Sequence, residues 1–226
     1  MKRYAVYFAP RPGAFAARSA AWLGWDAATG QPVAQPDLAG LPRPVAEITT
    51  DPRRYGFHGT IRAPFRPADG VTPDQISDAV AALAARSPAV PCEGLRLEDL
   101  HGFLALIPQG DLSALLALGA AVVEATDPLR APLSEAEIAR RKPETLTPRQ
   151  RDLLDRWGYP FVFEEFRFHL TLTDRLAADE AAHVAPLLAA HFDPVLPRPF
   201  VIEDLCLFGE DAEGRFHLLG RHALTG

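Results

Sequence analysis

Aromatic and branched residues open the chain at Tyr4-Ala5-Val6-Tyr7-Phe8-Ala9, a run that reads as a strand stopped by Pro10. Residues 14–25 carry a helical pattern that includes Trp22 and Trp25. The stretch 30–44, where Pro32, Pro36, Pro42 and Pro44 stand beside Gly30 and Gly40, reads as a loop. A strand is expected over about 55–65. Thr72, Pro73 and Gln75 then mark a helix start as N-cap, first-turn proline and capping-box partner. Ile76, Ala79, Val80 and Leu83 supply its apolar stripe, and two strands are expected near 94–100 and 103–107.

The same order recurs later in the chain. A strand over 167–173 precedes a helix over 178–191, a strand over 200–208, a turn at 210–214 and a return strand from 215 to about 219. Glu98-Asp99-Leu100 and Glu203-Asp204-Leu205 occupy matching places in the two halves. The pattern reads as an internal duplication. Between the halves, residues 109–160 look mostly helical, over 111–126, 134–141 and 147–157. Ser134 with Glu137, and Thr147-Pro148 with Gln150, form two further capping boxes. The expected fold is α+β, one bilobal and pseudo-twofold-symmetric domain over 1–226, with two antiparallel sheets lining a central cleft and helices outside. Its parts are an N-terminal strand, helix and loop over 1–44, a first lobe over 45–108, a helical insert over 109–160 and a second lobe over 161–226.

Length permits a sizeable core without covalent staples. The two cysteines, Cys92 and Cys206, lack metal-ligand spacing and read as buried small hydrophobes, and so low a count suits a reducing cytosol. The apolar run after Met1-Lys2-Arg3 is too short for a signal segment. The longest uncharged helical stretch, 112–123, falls short of the roughly 20 residues of a membrane span, so a soluble, cytoplasmic protein without membrane partners is expected. A net charge of −6, from 23 Lys and Arg against 29 Asp and Glu, argues against extensive nucleic-acid binding. The basic residues are nevertheless clustered, as Arg53-Arg54, Arg140-Arg141-Lys142, Arg149, Arg151 and Arg167. The Arg-rich insert either covers the cleft and grips a charged substrate or is a solvated connector.

Two strings nearly repeat each other: Phe57-His58-Gly59-Thr60-Ile61 and Phe168-His169-Leu170-Thr171-Leu172. With 7 His and 11 Thr in 226 residues, chance supplies only about a third of one His-x-Thr pair. Side chains two apart on a strand share a face. Two such strands facing each other would set two imidazoles and two hydroxyls around one small anion. In-line phosphodiester hydrolysis needs a base for the incoming water and an acid for the departing oxygen. Imidazole, titrating near neutrality, suits both tasks. Thr60 and Thr171 would donate to the non-bridging oxygens. This scheme calls for no metal and no cofactor, and its partner is a small phosphorylated substrate.

Strand periodicity places Gly56 and Arg62 beside the first pair and Arg167 and Thr173 beside the second. An arginine there either binds phosphate or forms a structural salt bridge. Arg140, Arg141 and Arg149 are the insert's substrate-binding candidates. Tyr7 either contacts a base or sugar or is a core tyrosine. His183 and His191, with Asp179 and Glu180 nearby, miss the i, i+4 spacing of a helical metal site, while His101, His217 and His222 read as ordinary strand or tail residues. The chain has no Gly-rich phosphate loop and no Gly-x-Ser-x-Gly elbow.

In its two motifs the chain resembles the two-histidine phosphoesterases, which include the LigT-like RNA cyclic phosphodiesterases and carry one His-x-Thr/Ser pair per lobe. His58-Gly59-Thr60 and His169-Leu170-Thr171 match both copies. The runs 55–65 and 164–176 further resemble a branch encoded with bacterial phosphonate-utilisation genes, over nearly the whole chain. The resemblance implies metal-independent hydrolysis of a cyclic phosphate or similar small phosphodiester of ribose or nucleotide type, with a link to phosphonate utilisation. His58 and His169 would be general acid and base, with neither role assigned. This branch has the insert and the compact RNA-directed members lack it, so substrate identity does not transfer. A non-catalytic phosphate or nucleotide binding protein and a metal-dependent hydrolase are the alternatives.

Overall fold

In the computed structural model, which covers residues 1–226, three helices begin at the capping boxes read from the sequence. Thr72, Ser134 and Thr147 each accept from the backbone N–H three residues on, and the side chains of Gln75, Glu137 and Gln150 reach back to the N-cap N–H. Donors that would lack partners are thus satisfied in pairs. The helices are α1 (Ala14–Leu23), α2 (Thr50–Arg53), α3 (Pro73–Ala84), α4 (Ser113–Thr126), α5 (Glu135–Arg140), α6 (Pro148–Trp157) and α7 (Ala178–Phe192). α1 stops before Trp25 because Gly24 takes a left-handed φ of 75° and closes the helix. No helix is long and apolar enough to cross a membrane.

The strands are β1 (Tyr4–Phe8), β2 (Trp25–Asp26), β3 (Gln31–Pro32), β4 (Gly59–Phe65), β5 (Val90–Cys92), β6 (Gly94–Asp99), β7 (Leu104–Gln109), β8 (Leu170–Thr171), β9 (Phe200–Ile202), β10 (Asp204–Glu210) and β11 (Phe216–Ala223). Seven form one sheet in the order β11-β10-β1-β4-β8-β7-β6, every pair antiparallel. β2 pairs with β3, and β5 with β9. The fold is α+β with antiparallel sheets, and the two expected sheets are continuous through the short β4–β8 pairing. Strands from the two sequence halves interleave: β4 lies on the side of β10 and β11, while β8 lies beside β7 and β6. The spatial halves of the sheet therefore do not coincide with the segments 45–108 and 161–226.

Alternation along the strands divides the apolar residues between two layers. Val6, Phe8, Ile61, Phe168, Leu170 and Leu172 pack with Val80 and Leu83 of α3, Leu118 and Val122 of α4, and Val184 and Leu188 of α7 in the main core. Ala5, Tyr7, Cys206, Phe208 and Phe216 pack with Trp25 and Ala27 in a smaller one. Cys92 and Cys206 are free and buried.

Several element limits differ from the sequence reading for local reasons. The first motif strand starts at Gly59, not Tyr55, because Thr50–Arg53 is helical and Gly56 takes a φ of 70°. The second motif strand contracts to β8, and the expected strand 200–208 is divided into β9 and β10. β1 meets β4 as Tyr7↔Thr60 and then as Val6↔Arg62, so β4 carries an extra residue between them. This bulge breaks the alternation that assigned Arg62 to the cleft. Arg62 is only 2% exposed and donates to the Trp157 carbonyl at 3.1 Å, with Asp127 Oδ1 3.8 Å away.

Gly59 has a packing role. A Cβ there would lie 2.2 Å from Phe168 Cζ, and the Phe168 ring is buried against Phe8 and Phe200. Gly59→Ala is expected to lower stability by about 1–3 kcal/mol, the usual range for overpacking, as measured by urea unfolding. Adding Phe168→Leu should restore part of that loss.

Candidate functional site

The β4–β8 register brings the two repeated strings together. Gly59 faces Leu170 across an antiparallel pair, so extending the register one residue each way sets His58 opposite Thr171 and Thr60 opposite His169. All four side chains share one sheet face. His58 and His169 occupy the diagonal positions, where residues on paired strands lie about 7–8 Å apart and their Cβ atoms somewhat less, enough for a tetrahedral group between the rings.

Each imidazole is oriented by the same device. His58 Nδ1 lies 2.8 Å from the carbonyl oxygen of Gly56, and His169 Nδ1 lies 2.8 Å from that of Arg167. A carbonyl only accepts, so each Nδ1 carries a proton and donates, which leaves Nε2 as the nitrogen available for proton transfer. Burial holds His58 well below its usual value, at about 4; the Gly56 carbonyl opposes the shift and His169 adds to it. Burial also lowers His169, against the opposing pull of the Arg167 carbonyl. Both rings are therefore neutral at neutral pH without an anion.

Around them lies a cleft of about 540 Å³, within the range of small-molecule sites. Tyr7, His58, Thr60 and Thr171 line it. His169 sits at its edge, with its ring 5.6 Å from that of Phe103, a lining residue. Tyr7 stacks on His58 with ring centroids 4.0 Å apart, consistent with its place beside Thr60 in the register. The insert supplies Leu133, Glu137, Arg140, Arg141 and Tyr159 to the cleft wall. Glu137 anchors this part of the insert through two hydrogen bonds from Arg66, at 2.9 Å from Nη2 and 3.1 Å from Nε.

Other sequence candidates go elsewhere. Arg62 points under the insert, as described above. Arg149 pairs with Glu164 at the surface, and Arg167 is exposed and donates to the carbonyls of Glu164 and Phe166; neither lines the cleft. Thr173 does line the cleft, but its hydroxyl already accepts the Leu104 N–H at 2.9 Å. His183 contacts the Gly40 carbonyl, while His191 packs between Trp22 and Phe192. No group of three or more His, Cys, Asp or Glu side chains comes together in a way that could hold a metal ion.

Arg3, Tyr55 and Tyr159, which also line the cleft, are not among the sequence candidates, and Arg54, read from the sequence only as one of a basic pair ahead of the first motif, lines it too. Tyr55 had one usable signal, its place three residues before His58. Arg3 and Tyr159 reach the site only through the tertiary fold.

Two curated relatives match nearly all of this chain. A protein of Janthinobacterium sp. (strain Marseille) named ribose 1,5-bisphosphate phosphokinase PhnN is 38% identical, over 95% of this chain and 49% of its own length. A protein of the same name from Laribacter hongkongensis (strain HLHK9) is 39% identical, over 94% of this chain and 49% of its own. The chain thus spans about half the length of the curated relatives it matches. Among solved structures, E. coli LigT complexed with 3'-AMP is 15% identical with a TM-score of 0.46, covering 100% of this chain and 98% of that one. TT0787 of Thermus thermophilus is 15% identical with a TM-score of 0.47, covering 99% and 98%. The family model described as "Protein of unknown function (DUF1045)" matches residues 60–217, more than two thirds of the sequence, and the chain belongs to that family.

Proposed function

We propose that the cleft hydrolyses a cyclic phosphodiester on a ribose-type sugar without a metal, with His58 and His169 exchanging protons with water and leaving group. The observation that carries this reading is the cross-strand square of two imidazoles and two threonines, with both Nδ1 atoms committed to carbonyls. Water attacks phosphorus and gives its proton to one neutral Nε2. The bond from phosphorus to the ring oxygen breaks, and that oxygen takes a proton from the other, protonated imidazole. The product is a phosphomonoester with a neighbouring free hydroxyl. Thr60 and Thr171 donate to the non-bridging oxygens as charge builds on them.

The curated relatives support the choice of sugar. Both are named for a kinase acting on ribose 1,5-bisphosphate, which favours a phosphorylated ribose as the compound class handled here. This chain has no Gly-rich phosphate loop and spans about half of those relatives, so the reading takes the sugar class from that name and not the kinase reaction. A role in phosphonate utilisation belongs to the same proposal and rests on the sequence resemblance.

Turnover is tested with a panel of ribose cyclic phosphates and 2',3'-cyclic nucleotides followed by phosphorus NMR after exhaustive chelation. Activity should survive chelation, and His58→Ala and His169→Ala should each lower kcat by about 10² or more. Near-normal activity in either variant contradicts the paired-histidine mechanism; binding of the panel without turnover favours a phosphate-binding protein.

Anion binding should be coupled to protons. A bound anion stabilises imidazolium and raises the pKa of His58 from about 4 in the free protein. Between the free and bound values the complex holds more protons, so affinity rises as pH falls. Sulfate, whose charge is constant over this range, should bind more tightly at pH 5.5 than at 8, by at most about tenfold per pH unit for each proton taken up. Calorimetry in two buffers of different ionisation enthalpy measures that uptake, and His58→Gln should reduce it. A pH-independent affinity is the contrary result.

A further inference from the structure

The histidine and threonine square needs only one phosphoryl group, yet the cleft extends well past it. Three of the chain's four tyrosines, Tyr7, Tyr55 and Tyr159, line the same cleft, Tyr7 and Tyr55 with their rings 4.0 and 5.7 Å from that of His58. The Tyr7 side chain is completely buried, and its hydroxyl has no hydrogen-bond partner. Buried hydroxyls are rarely left unpaired, because an unmade hydrogen bond there costs about 1–3 kcal/mol. Burial raises the proton affinity of both Tyr7 and Tyr159, keeping them as neutral donors, and Tyr7 is raised further by Tyr55 and Tyr159, which lie near it. All three side chains border the cleft that also holds Arg140 and Arg141.

Cationic charge is available at the same place. Arg3 is neutralised by Glu210 at 2.6 Å, and Arg175 donates to the His101 carbonyl. Arg141 instead lies over the Tyr159 ring, its Cζ 4.8 Å from the centroid. Arg140, its neighbour, bonds only the Ala136 carbonyl of its own helical turn, at 3.4 Å. Arg54, Arg140, Arg141 and Arg175 make no ion pair, and of the carboxylates in the same wall Glu137 is taken up by Arg66 and Asp174 by the backbone N–H groups of Thr50 and Asp51, with Asp51 the third, so the wall is a local attractor for anions in a chain of net charge −6.

We propose that the hydroxyls of Tyr7, Tyr55 and Tyr159, with the guanidinium of Arg141, form a second anion subsite that takes a phosphomonoester borne on the same molecule as the diester. The inference rests on the phosphodiesterase reading of the square and narrows it: the substrate is a sugar with a cyclic phosphodiester at one end and a terminal phosphate at the other. A phosphomonoester suits the set because its oxygens accept from several donors at once, and a guanidinium can bind two of them in parallel.

Calorimetry on the full chain, comparing ribose 1,5-bisphosphate with ribose 1-phosphate and ribose 5-phosphate at fixed pH and salt, tests this. The bisphosphate should bind at least about 30-fold more tightly than either monophosphate, since the second group binds intramolecularly. Arg141→Met and Tyr159→Phe should each shrink that ratio, by about tenfold for the arginine, the loss expected for a charge-assisted pair. A wild-type bisphosphate no tighter than the better monophosphate overturns the subsite, as does a ratio unchanged in both variants. The wild-type ratio decides by itself if a variant fails to fold. Binding with the expected ratio but no cleavage of any cyclic phosphate overturns hydrolysis and leaves the subsite standing. Equal kcat/KM for cyclic phosphates with and without a terminal phosphate overturns the subsite alone.

Discussion

One pairing, Gly59 against Leu170, joins the two halves of the sheet and sets the two His-x-Thr pairs side by side. β8 is only two residues long, so ladder hydrogen bonds contribute little to holding that register. Side chains and flanking backbone do more. The Phe168 ring occupies the space that a Gly59 side chain would need, and Ile61, Leu170 and Leu172 are buried in the same core. Beyond β8 the backbone N–H of Leu172 donates to the Leu104 carbonyl, and the Leu172 carbonyl accepts from Trp22 Nε1. A slip of one residue in either strand would turn that strand's motif over and bury its imidazole in an apolar layer.

The insert depends on the same central strand. β4 continues past the motif to Arg62, and Arg66 follows just beyond its end. Both arginines face the insert. Burial and the nearby Arg130 lower Arg62 to about 10, while Asp127 pulls the other way, and its Nε has no partner. So enclosed a cation anchors the insert by the cost of leaving it unpaired more than by the strength of its contacts. Arg66 is more exposed and its pair with Glu137 correspondingly weaker in energy, but its geometry is specific. Glu137 caps α5 and accepts from Arg66 at once, which holds it at about 2 and fixes where α5 begins. Arg140 and Arg141 follow about one turn later, at the cleft.

Local signals in the sequence were legible and long-range ones were not. The capping boxes at Thr72, Ser134 and Thr147 form because each involves only neighbouring residues. The His-x-Thr pairs were readable for the same reason: their spacing is a property of a strand. Arg62 was misplaced because a bulge depends on the partner strand, here β1, and period-two reading has no term for it. Arg149 and Arg167 had the right charge, but nearby Glu164 supplies a partner for one and a carbonyl for the other. Arg3 and Tyr159 belong to the cleft only after β1 has paired with β4 and the insert has docked, events that leave no local trace.

The bulge also has a consequence for charge. Had alternation continued through Arg62, a fixed cation would stand beside the two imidazoles. Instead the face next to Thr60 continues with Ala63 and Pro64, and the square itself contains only neutral groups when empty. A phosphodiester entering it carries a negative charge with no permanent partner among those four side chains. The least costly response is protonation of one imidazole, because the anion stabilises the imidazolium it faces. The second imidazole is then held neutral by the first, since two like charges so near each other oppose double protonation. On the proposed reading, one acid and one base, the state that in-line hydrolysis needs, would thus be produced by the substrate's own charge acting on two imidazoles that are both neutral beforehand. A fixed arginine in the square would satisfy the anion directly and remove the reason for either histidine to take a proton.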